Sequence, residues 1–280
     1  LLAAIERLRP QLRCNSYIHI RHELVNTDDH DELKGWMTDH RIDLLSLNDH
    51  LPPMNNEGKM KRYLAGLARR VAMTDGESQD FIQALQGRRQ AGETQVRELC
   101  DLAHACEIPL ASHDDACQQD VERSRQRRVA IAEFPMSLAL ASTLREQHIA
   151  VVLGAPNLVR GGSHVGGLSV DEALRNDQVD VICSDYHYPS LFHAPFLMAS
   201  QGLRPLAAGW KLVSEHPAST VGLGDRKGRL AEGYDADMLM LDTLDGCPLS
   251  INAVFTRGRQ VLQRDERAVD AIPYQYAVSL

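Results

Sequence analysis

Several features that would assign a chain at a glance are missing. No CxxC pair occurs among the six cysteines, Cys14, Cys100, Cys106, Cys117, Cys183 and Cys247. Scattered through apolar contexts, they fit reduced thiols in a cytoplasmic protein rather than a disulfide framework. No apolar run approaches the roughly 20 residues of a membrane span, so no membrane partner is expected. Basic residues do not dominate either: 30 Lys and Arg stand against 38 Asp and Glu, for a net charge of -8 and a pI near 5.8. That balance repels nucleic acid and anionic membranes at long range, while a local basic pocket stays allowed. Neither HExxH nor an HxH first strand is present, so the familiar zinc spacings are absent. The opening Leu-Leu-Ala-Ala-Ile-Glu-Arg-Leu lacks the basic front of a signal peptide and reads as a helix already under way. The first residue is not Met, so a preceding portion is expected.

What is present is an alternation. With 280 residues and 44% hydrophobic content, the chain can bury a full core and suits one large domain, or one large and one small. In Glu107-Ile-Pro-Leu-Ala-Ser-His-Asp-Asp-Ala116 a short apolar run stops at His113, Asp114 and Asp115, the pattern of a buried strand emerging into a site. Tyr17–Glu23, Ile42–His50, Ala150–Asn157 and Val179–Asp185 share that grammar, and a further strand is predicted over Val129–Pro135. The segments between them are long enough for helices, so strands and helices alternate around one polar mouth. Within the first strand, Arg21 and Glu23 lie opposite Ile18 and Ile20 and point to a barrel interior, as does His50 on the next.

Residues 60–107 read as a charged helical hairpin of insertion size, with Lys61 among its basic residues; such a run is ordinarily a solvated face. Shorter helices are predicted over Val121–Arg128, up to about Gln147, over Val170–Asn176, Leu191–Ala199 and Pro205–Glu215. In Gly154-Ala-Pro-Asn-Leu-Val-Arg-Gly-Gly-Ser-His164 the glycines can bring backbone N–H groups to an oxyanion and Arg160 can grip it bidentately; a plain turn is the alternative. From Lys227 onward, short strands separated by glycine turns indicate a small β module.

At the strand ends, Glu23, His50, His113 and Asp185 form a mixed imidazole and carboxylate set at the mouth where parallel barrels keep their active sites. Such ligands suit zinc or a similar divalent ion. Each has a plainer reading alone: a single strand-end histidine is ordinarily hydrogen-bonded, and Asp185 can cap the next helix.

The C-terminal run Gly228-Arg-Leu-Ala-Glu-Gly-Tyr-Asp-Ala-Asp-Met-Leu-Met-Leu-Asp242, preceded by His216-Pro-Ala-Ser-Thr-Val-Gly-Leu223 and followed by Val254-Phe-Thr-Arg-Gly-Arg259, resembles the tail of the amidohydrolase superfamily. Ala111-Ser-His-Asp-Asp-Ala116, Ala132-Glu-Phe-Pro135, the Gly154–His164 run and Ser184-Asp-Tyr-His-Tyr-Pro-Ser190 resemble its phosphonate-metabolism members. The resemblance implies an α/β fold: a TIM-like (β/α)8 metal-dependent hydrolase barrel over residues 1–223, lacking its first strands, and part of a small β-sandwich over 224–280.

It further implies hydrolysis of α-D-ribose 1-methylphosphonate 5-triphosphate to the 5-phosphate and pyrophosphate, in the carbon-phosphorus lyase pathway. By matching position, His50, His113 and Asp185 bind metal, Glu23 bridges two ions, and Asp185 takes a proton from the attacking water. One or two divalent ions are implied, zinc first and manganese second. Arg160, His164 and the backbone of Gly161 and Gly162 hold phosphate oxygens, with Arg21 and Lys61 as further candidates. The implied partner is a small phosphorylated sugar phosphonate, and self-assembly into a homo-oligomer stays open. The family's first barrel strand, with its His-x-His or His-x-Asp pair, has no counterpart before Tyr17, so an incomplete barrel with little activity is expected of this chain. Two other readings remain: a hydrolase of cyclic amides or amines, against which Arg160 and the Gly161-Gly162 loop argue, and a metal-free binding or assembly module.

Overall fold

The computed structural model describes residues 1–52, 56–71, 73–162, 166–244 and 247–264. The chain divides into two compact units, one of residues 17–187 and one of residues 1–16 with 188–280. Helix α1 (Leu2–Leu8) opens the second of these and runs into a 3-10 turn at Arg9–Gln11, where Pro10 stops it.

The 17–187 unit is built on six parallel strands: β1 (His19–Glu23), β2 (Leu44–Asn48), β3 (Leu110–His113), β4 (Ile131–Glu133), β5 (Ala150–Gly154) and β6 (Val181–Cys183). Each pairs with its sequence neighbours in the order β1-β2-β3-β4-β5-β6, the singly wound βα topology of a TIM-like barrel. The sheet is strongly curved. His19 on β1 and Glu133 on β4 approach to 4.0 Å, although three strand spacings on a flat sheet would set them about 14 Å apart. Inner-face side chains therefore meet across the bend.

Residues 57–105 form three helices rather than the hairpin expected: α3 (Glu57–Arg70), α4 (Asp75–Gly87) and α5 (Arg89–Ala105), following α2 (His30–Thr38). The extra break has a local cause, since Thr74 and Glu77 make a capping box that starts α4. Helix α5 is itself the crossover from β2 to β3, burying Gly92, Val96, Leu99, Cys100 and Ala103 along one stripe. At Gly92 the docking is backbone to backbone: a Cβ there would lie 2.0 Å from the Leu24 carbonyl oxygen. Helices α3 and α4 set Met60, Tyr63, Leu64 and Leu85 against buried Val25, Leu51 and Ile82. Lys59, Lys61 and Arg62 are exposed, as a solvated face requires.

The remaining helices of this unit are α6 (Gln118–Gln126), α7 (Leu138–Glu146), α8 (Ala155–Arg160) and α9 (Val170–Arg175). Five crossover helices end alike. His40, Glu107, Arg128, His148 and Asp177 follow α2, α5, α6, α7 and α9 in left-handed backbone, with φ of 51° to 60°. In each case the next amide reaches back to the final turn, as Ile108 N to Ala103 O at 2.8 Å and Ile149 N to Leu144 O at 3.0 Å. These are Schellman closures made without glycine.

In the other unit, α10 (Tyr188–Ser200) is followed by α11 (Leu206–Lys211) and α12 (Glu215–Thr220). A single helix was expected from Pro205 to Glu215; Pro217, lacking an N–H, fits only the first turn of a new helix. Strands β7 (Met238–Leu244), β8 (Cys247–Thr256) and β9 (Arg259–Gln263) form an antiparallel sheet in that order. The Gly228–Asp242 motif leads into it through a charged clasp, in which Lys227 bonds Asp235 at 2.9 Å and Asp237 at 2.6 Å. Among the described residues no helix is long and apolar enough to cross a membrane.

Candidate metal centre

Strand register brings the site together. Glu23 on β1 pairs with Asn48 on β2, and His113 on β3 with Glu133 on β4, so the last inward side chains of four strands stand at one level. His50 follows β2 by two residues.

Two imidazoles there are each backed by a carboxylate. His50 Nδ1 meets Glu23 Oε1 at 2.5 Å, and the His50 backbone N–H donates to Glu23 Oε2 at 3.3 Å. His113 Nδ1 meets Glu133 Oε2 at 3.1 Å, and the same oxygen accepts Ser46 Oγ at 2.7 Å. The other ring nitrogens converge on Asp114: His50 Nε2 lies 3.9 Å from Oδ2 and His113 Nε2 3.7 Å from Oδ1. The rings stand edge to face with centroids 5.3 Å apart. His50, His113 and Asp114 can thus offer ligand atoms all within 4.8 Å of one another.

A carboxylate behind Nδ1 keeps the proton there and leaves the Nε2 lone pair outward, the tautomer a metal ligand needs. The network assigns it, since Arg21 Nη2 donates to His113 Nε2 at 2.9 Å. With its amide oxygen turned inward, Asn48 accepts from Arg21 Nε and Nη2 at 3.1 Å. The Arg21 guanidinium therefore occupies the lone pair that a metal ion on His113 would take.

The ionisation of these groups follows from the pairing. The hydrogen bond to Glu23 raises His50, against partial burial, with the Glu23 and Asp114 charges adding to it. Burial pushes Glu23 up, but the His50 bond and charge outweigh it and hold its carboxyl below the ordinary range. For Glu133 burial likewise opposes, and the bonds from His113 and Ser46 prevail, so this largely buried carboxyl is held low.

Beside the imidazoles lies a cavity of about 270 Å³, whose lining includes polar Arg21, His113, Asp114 and Asp185 and apolar Phe134, Met136, Leu153 and Leu168. Asp114, Phe134 and Asp185 have φ of 57°, 59° and 49°. Each sits just past the end of β3, β4 or β6, so left-handed strain gathers at the mouth. At Gly154 a Cβ would lie 3.4 Å from Asp185 Oδ2, so this residue borders the carboxylate directly.

Of the residues the sequence nominates, His50 and Glu23 are hydrogen-bonded to each other, His113 stands edge to face with His50, and Asp185 borders the cavity beside them. Glu23 stands behind His50 with both oxygens already accepting from it. The phosphate-loop nominations come out differently. The stretch after β5 is helix α8, not an open loop; Gly161 N donates to Leu158 O at 3.2 Å and Gly162 N to Asn157 O at 3.0 Å. Both amides close the helix end instead of facing an anion. Arg160, the last residue of α8, lies over the Tyr186 ring, 5.5 Å from its centroid, and Tyr186 borders the cavity. Lys61 is exposed on α3 and does not line it. His164 falls outside the described residues.

The sequence places Asp114 at a strand end beside the site but gives it no role, and it gives none to Glu133 or Tyr186. Asp114 and Tyr186 directly follow nominated residues, and Glu133 lies in a quoted motif without a role. Only register reveals that Glu133 faces His113.

The donor set suits a divalent ion: two imidazoles are backed at Nδ1 by carboxylates and Asp114 is at hand, and His113 Nε2 would exchange its bond from Arg21 for the ion. A family model described as "Amidohydrolase family" matches residues 66–272. The α-D-ribose 1-methylphosphonate 5-triphosphate diphosphatase of Escherichia coli (strain K12) is 32% identical over 255 residues, 89% of this chain. The chain spans 66% of that relative's length. Among solved structures, an amidohydrolase from Thermotoga maritima MSB8 is similar at 18% identity, covering 84% of this chain and 56% of that one, with a TM-score of 0.47. An adenosine deaminase from Xanthomonas campestris with bound zinc is similar at 16% identity, covering 96% and 72%, with a TM-score of 0.47.

Proposed function

Because the chain belongs to the amidohydrolase family, we propose that it forms the catalytic part of a metal-dependent hydrolase. We propose as its substrate the one its Escherichia coli relative is named for, α-D-ribose 1-methylphosphonate 5-triphosphate, cleaved in the cytoplasm to the 5-phosphate and pyrophosphate. The observation that carries this reading is the pair of carboxylate-backed imidazoles converging on Asp114 beside a cavity with Arg21 on its wall. The 224–280 segment is assigned to a separate sandwich portion.

His50 and His113 would hold the ion through Nε2, with Asp114 and Asp185 as carboxylate donors; zinc suits this set best and manganese second. When bound, such an ion polarises a phosphoryl oxygen and lowers the pKa of water. The chain's own side chains do the rest. Glu23 and Glu133 keep the Nδ1 protons in place and so hold both rings. Asp185 accepts a proton from water as the water oxygen bonds to phosphorus and the bridging P–O bond breaks, with pyrophosphate leaving. Arg21, released from His113 Nε2 when that nitrogen takes the ion, would face the charge that develops on the phosphate oxygens, and Arg160, stacked on Tyr186, presents its N–H fork to the outer phosphates.

The apolar flank of Phe134, Met136, Leu153 and Leu168 favours a second reading, hydrolysis of a cyclic amide or amine. One substitution separates the two. Arg160→Ala is expected to raise KM for the triphosphate about 10-fold or more with kcat little changed, as befits a lost charge-assisted bond, and to leave a neutral amide unaffected. Pyrophosphate release and bound metal, measured beside the Escherichia coli relative, test the reading as a whole. A protein that takes up zinc but releases no pyrophosphate from this substrate would remove the diphosphatase assignment.

A further inference from the structure

From the contacts around His50, we infer that Arg89 is a positioning residue for the metal centre, a clamp through which helix α5 holds His50 in place. This rests on the reading of His50 as a ligand. His50 lies between two residues that Arg89 grips. Arg89 Nη1 donates to Asp49 Oδ2 at 2.7 Å and Nη2 to Asp49 Oδ1 at 3.0 Å, a fork-to-fork ion pair. On the other side, Nη2 also donates to the Leu51 carbonyl at 2.7 Å. The third nitrogen, Nε, donates to Gln86 Oε1 at 2.8 Å, and Gln86 Nε2 in turn donates to the Pro52 carbonyl at 2.8 Å.

One side chain, with a glutamine as its extension, therefore engages residues 49, 51 and 52, leaving His50 as the residue that projects from a fixed loop. Two further observations make the clamp stiff. Leu51 is buried in the cluster formed by Val25 and Ile82, with Met60, Tyr63, Leu64 and Leu85 packed around it. Arg89 opens α5, and one turn later Gly92 presses that helix against the Leu24 carbonyl, next to Glu23, which accepts from His50. The same helix thus meets the ligand from its flanks through Arg89 and sits against the strand end that backs the ligand. Arg88, by contrast, pairs with Asp28 at 2.7 Å on the surface, away from the bonds that hold the 49–52 loop. A ligand imidazole needs its ring held to a fraction of an ångström, and groups that orient such rings typically alter metal affinity 10–100-fold when removed.

The test uses the whole chain stripped of metal, with two readouts: zinc affinity by titration calorimetry, and hydrogen exchange over residues 44–52 without zinc. Arg89→Gln is expected to weaken zinc binding about 10–100-fold and to speed exchange at the amides of residues 49–51. Arg89→Lys should fall between, because an ammonium cannot form the fork. Arg88→Gln should stay within about twofold, as a surface pair does. If Arg89→Gln does not fold, Asp49→Asn, which removes the ion pair and leaves the Leu51 bond, carries the same expectation. Faster exchange with unchanged zinc affinity would reduce the clamp to a structural feature and overturn the inference. So would an equal loss in Arg88→Gln, or no change in either readout. Should the wild type bind no zinc that His50→Ala abolishes, the metal-centre reading itself fails, and the inference with it.

Discussion

The two ends of the six-stranded sheet use the same residue types to opposite purposes. At the end where strands begin, carboxylates are consumed by backbone: Asp43 accepts the Ile18 N–H at 2.6 Å, and Asp180 accepts the Val151 N–H at 2.9 Å and the Arg145 guanidinium at 3.1 Å. At the end where strands finish, Glu23 and Glu133 accept from imidazoles, while Asp114 and Asp185 stay exposed to the cavity. Left-handed backbone divides the same way. His40, Glu107, Arg128, His148 and Asp177 close helices before a strand; Asp114, Phe134 and Asp185 follow one. The first group completes hydrogen bonding at a helix end, and the second aims side chains at a pocket. Backbone of the same kind therefore closes helices at one end and lines the cavity at the other.

Substitutions can break this contrast, and the largest effect belongs to the ligands. Loss of His113 in His113→Ala should weaken zinc binding by more than the roughly 100-fold that marks loss of a backing group. Titration calorimetry would measure it, and unaltered binding would mean that His113 holds no metal. Next is Glu133→Gln, which leaves His113 without its charged acceptor; an affinity loss of about 10–100-fold is expected by the same titration.

Smaller and more pointed is a matched pair of glycine substitutions. Both His148→Gly and Asp114→Gly relieve left-handed strain and should raise or hold stability within about 1 kcal/mol, judged by urea unfolding. Only Asp114→Gly should lose zinc affinity. Equal behaviour of the two would erase the distinction between the ends.

The smallest effect is a pH slope. Burial holds His22 below its ordinary 6.5, with the His30 charge adding and the Glu23 charge opposing, and its Nε2 is buried without a hydrogen-bond partner. A base with a lowered folded value contributes stability that is full above its unfolded pKa and lost as pH falls below it, because only the unfolded chain takes up the proton. Stability should therefore decline below about pH 6.5, with His19, also lowered mainly by burial, acting in the same sense. In His22→Leu the decline should be shallower, and an identical slope in both proteins would rule His22 out as a source.

Much of the scaffold could be read directly. An apolar run ending on polar residues marks a parallel strand with a working end, and this placed β1, β2, β3, β5 and β6 along with His50, His113 and Asp185. Glu133 was not readable in its role, because strand register is a property of pairs and no single strand carries it. The glycines at 161 and 162 suggest an open loop after β5, whereas Pro156 near the start of α8 is the signal for the helix that stands there, being suited to a first helical turn. Thr74 and Glu77 likewise announced α4 in a segment taken for one hairpin. The five left-handed helix closures left no glycine to betray them.

Position 92 carries a consequence that reaches beyond its own helix. The void of a single methyl there is filled by the Leu24 carbonyl oxygen, so even alanine must lever α5 outward, and Arg89 travels with it because the first turn moves as one piece. A substitution on the outer wall would then be felt inside the sheet, at the loop that carries His50. The least conspicuous residue of the helix becomes one of its least replaceable.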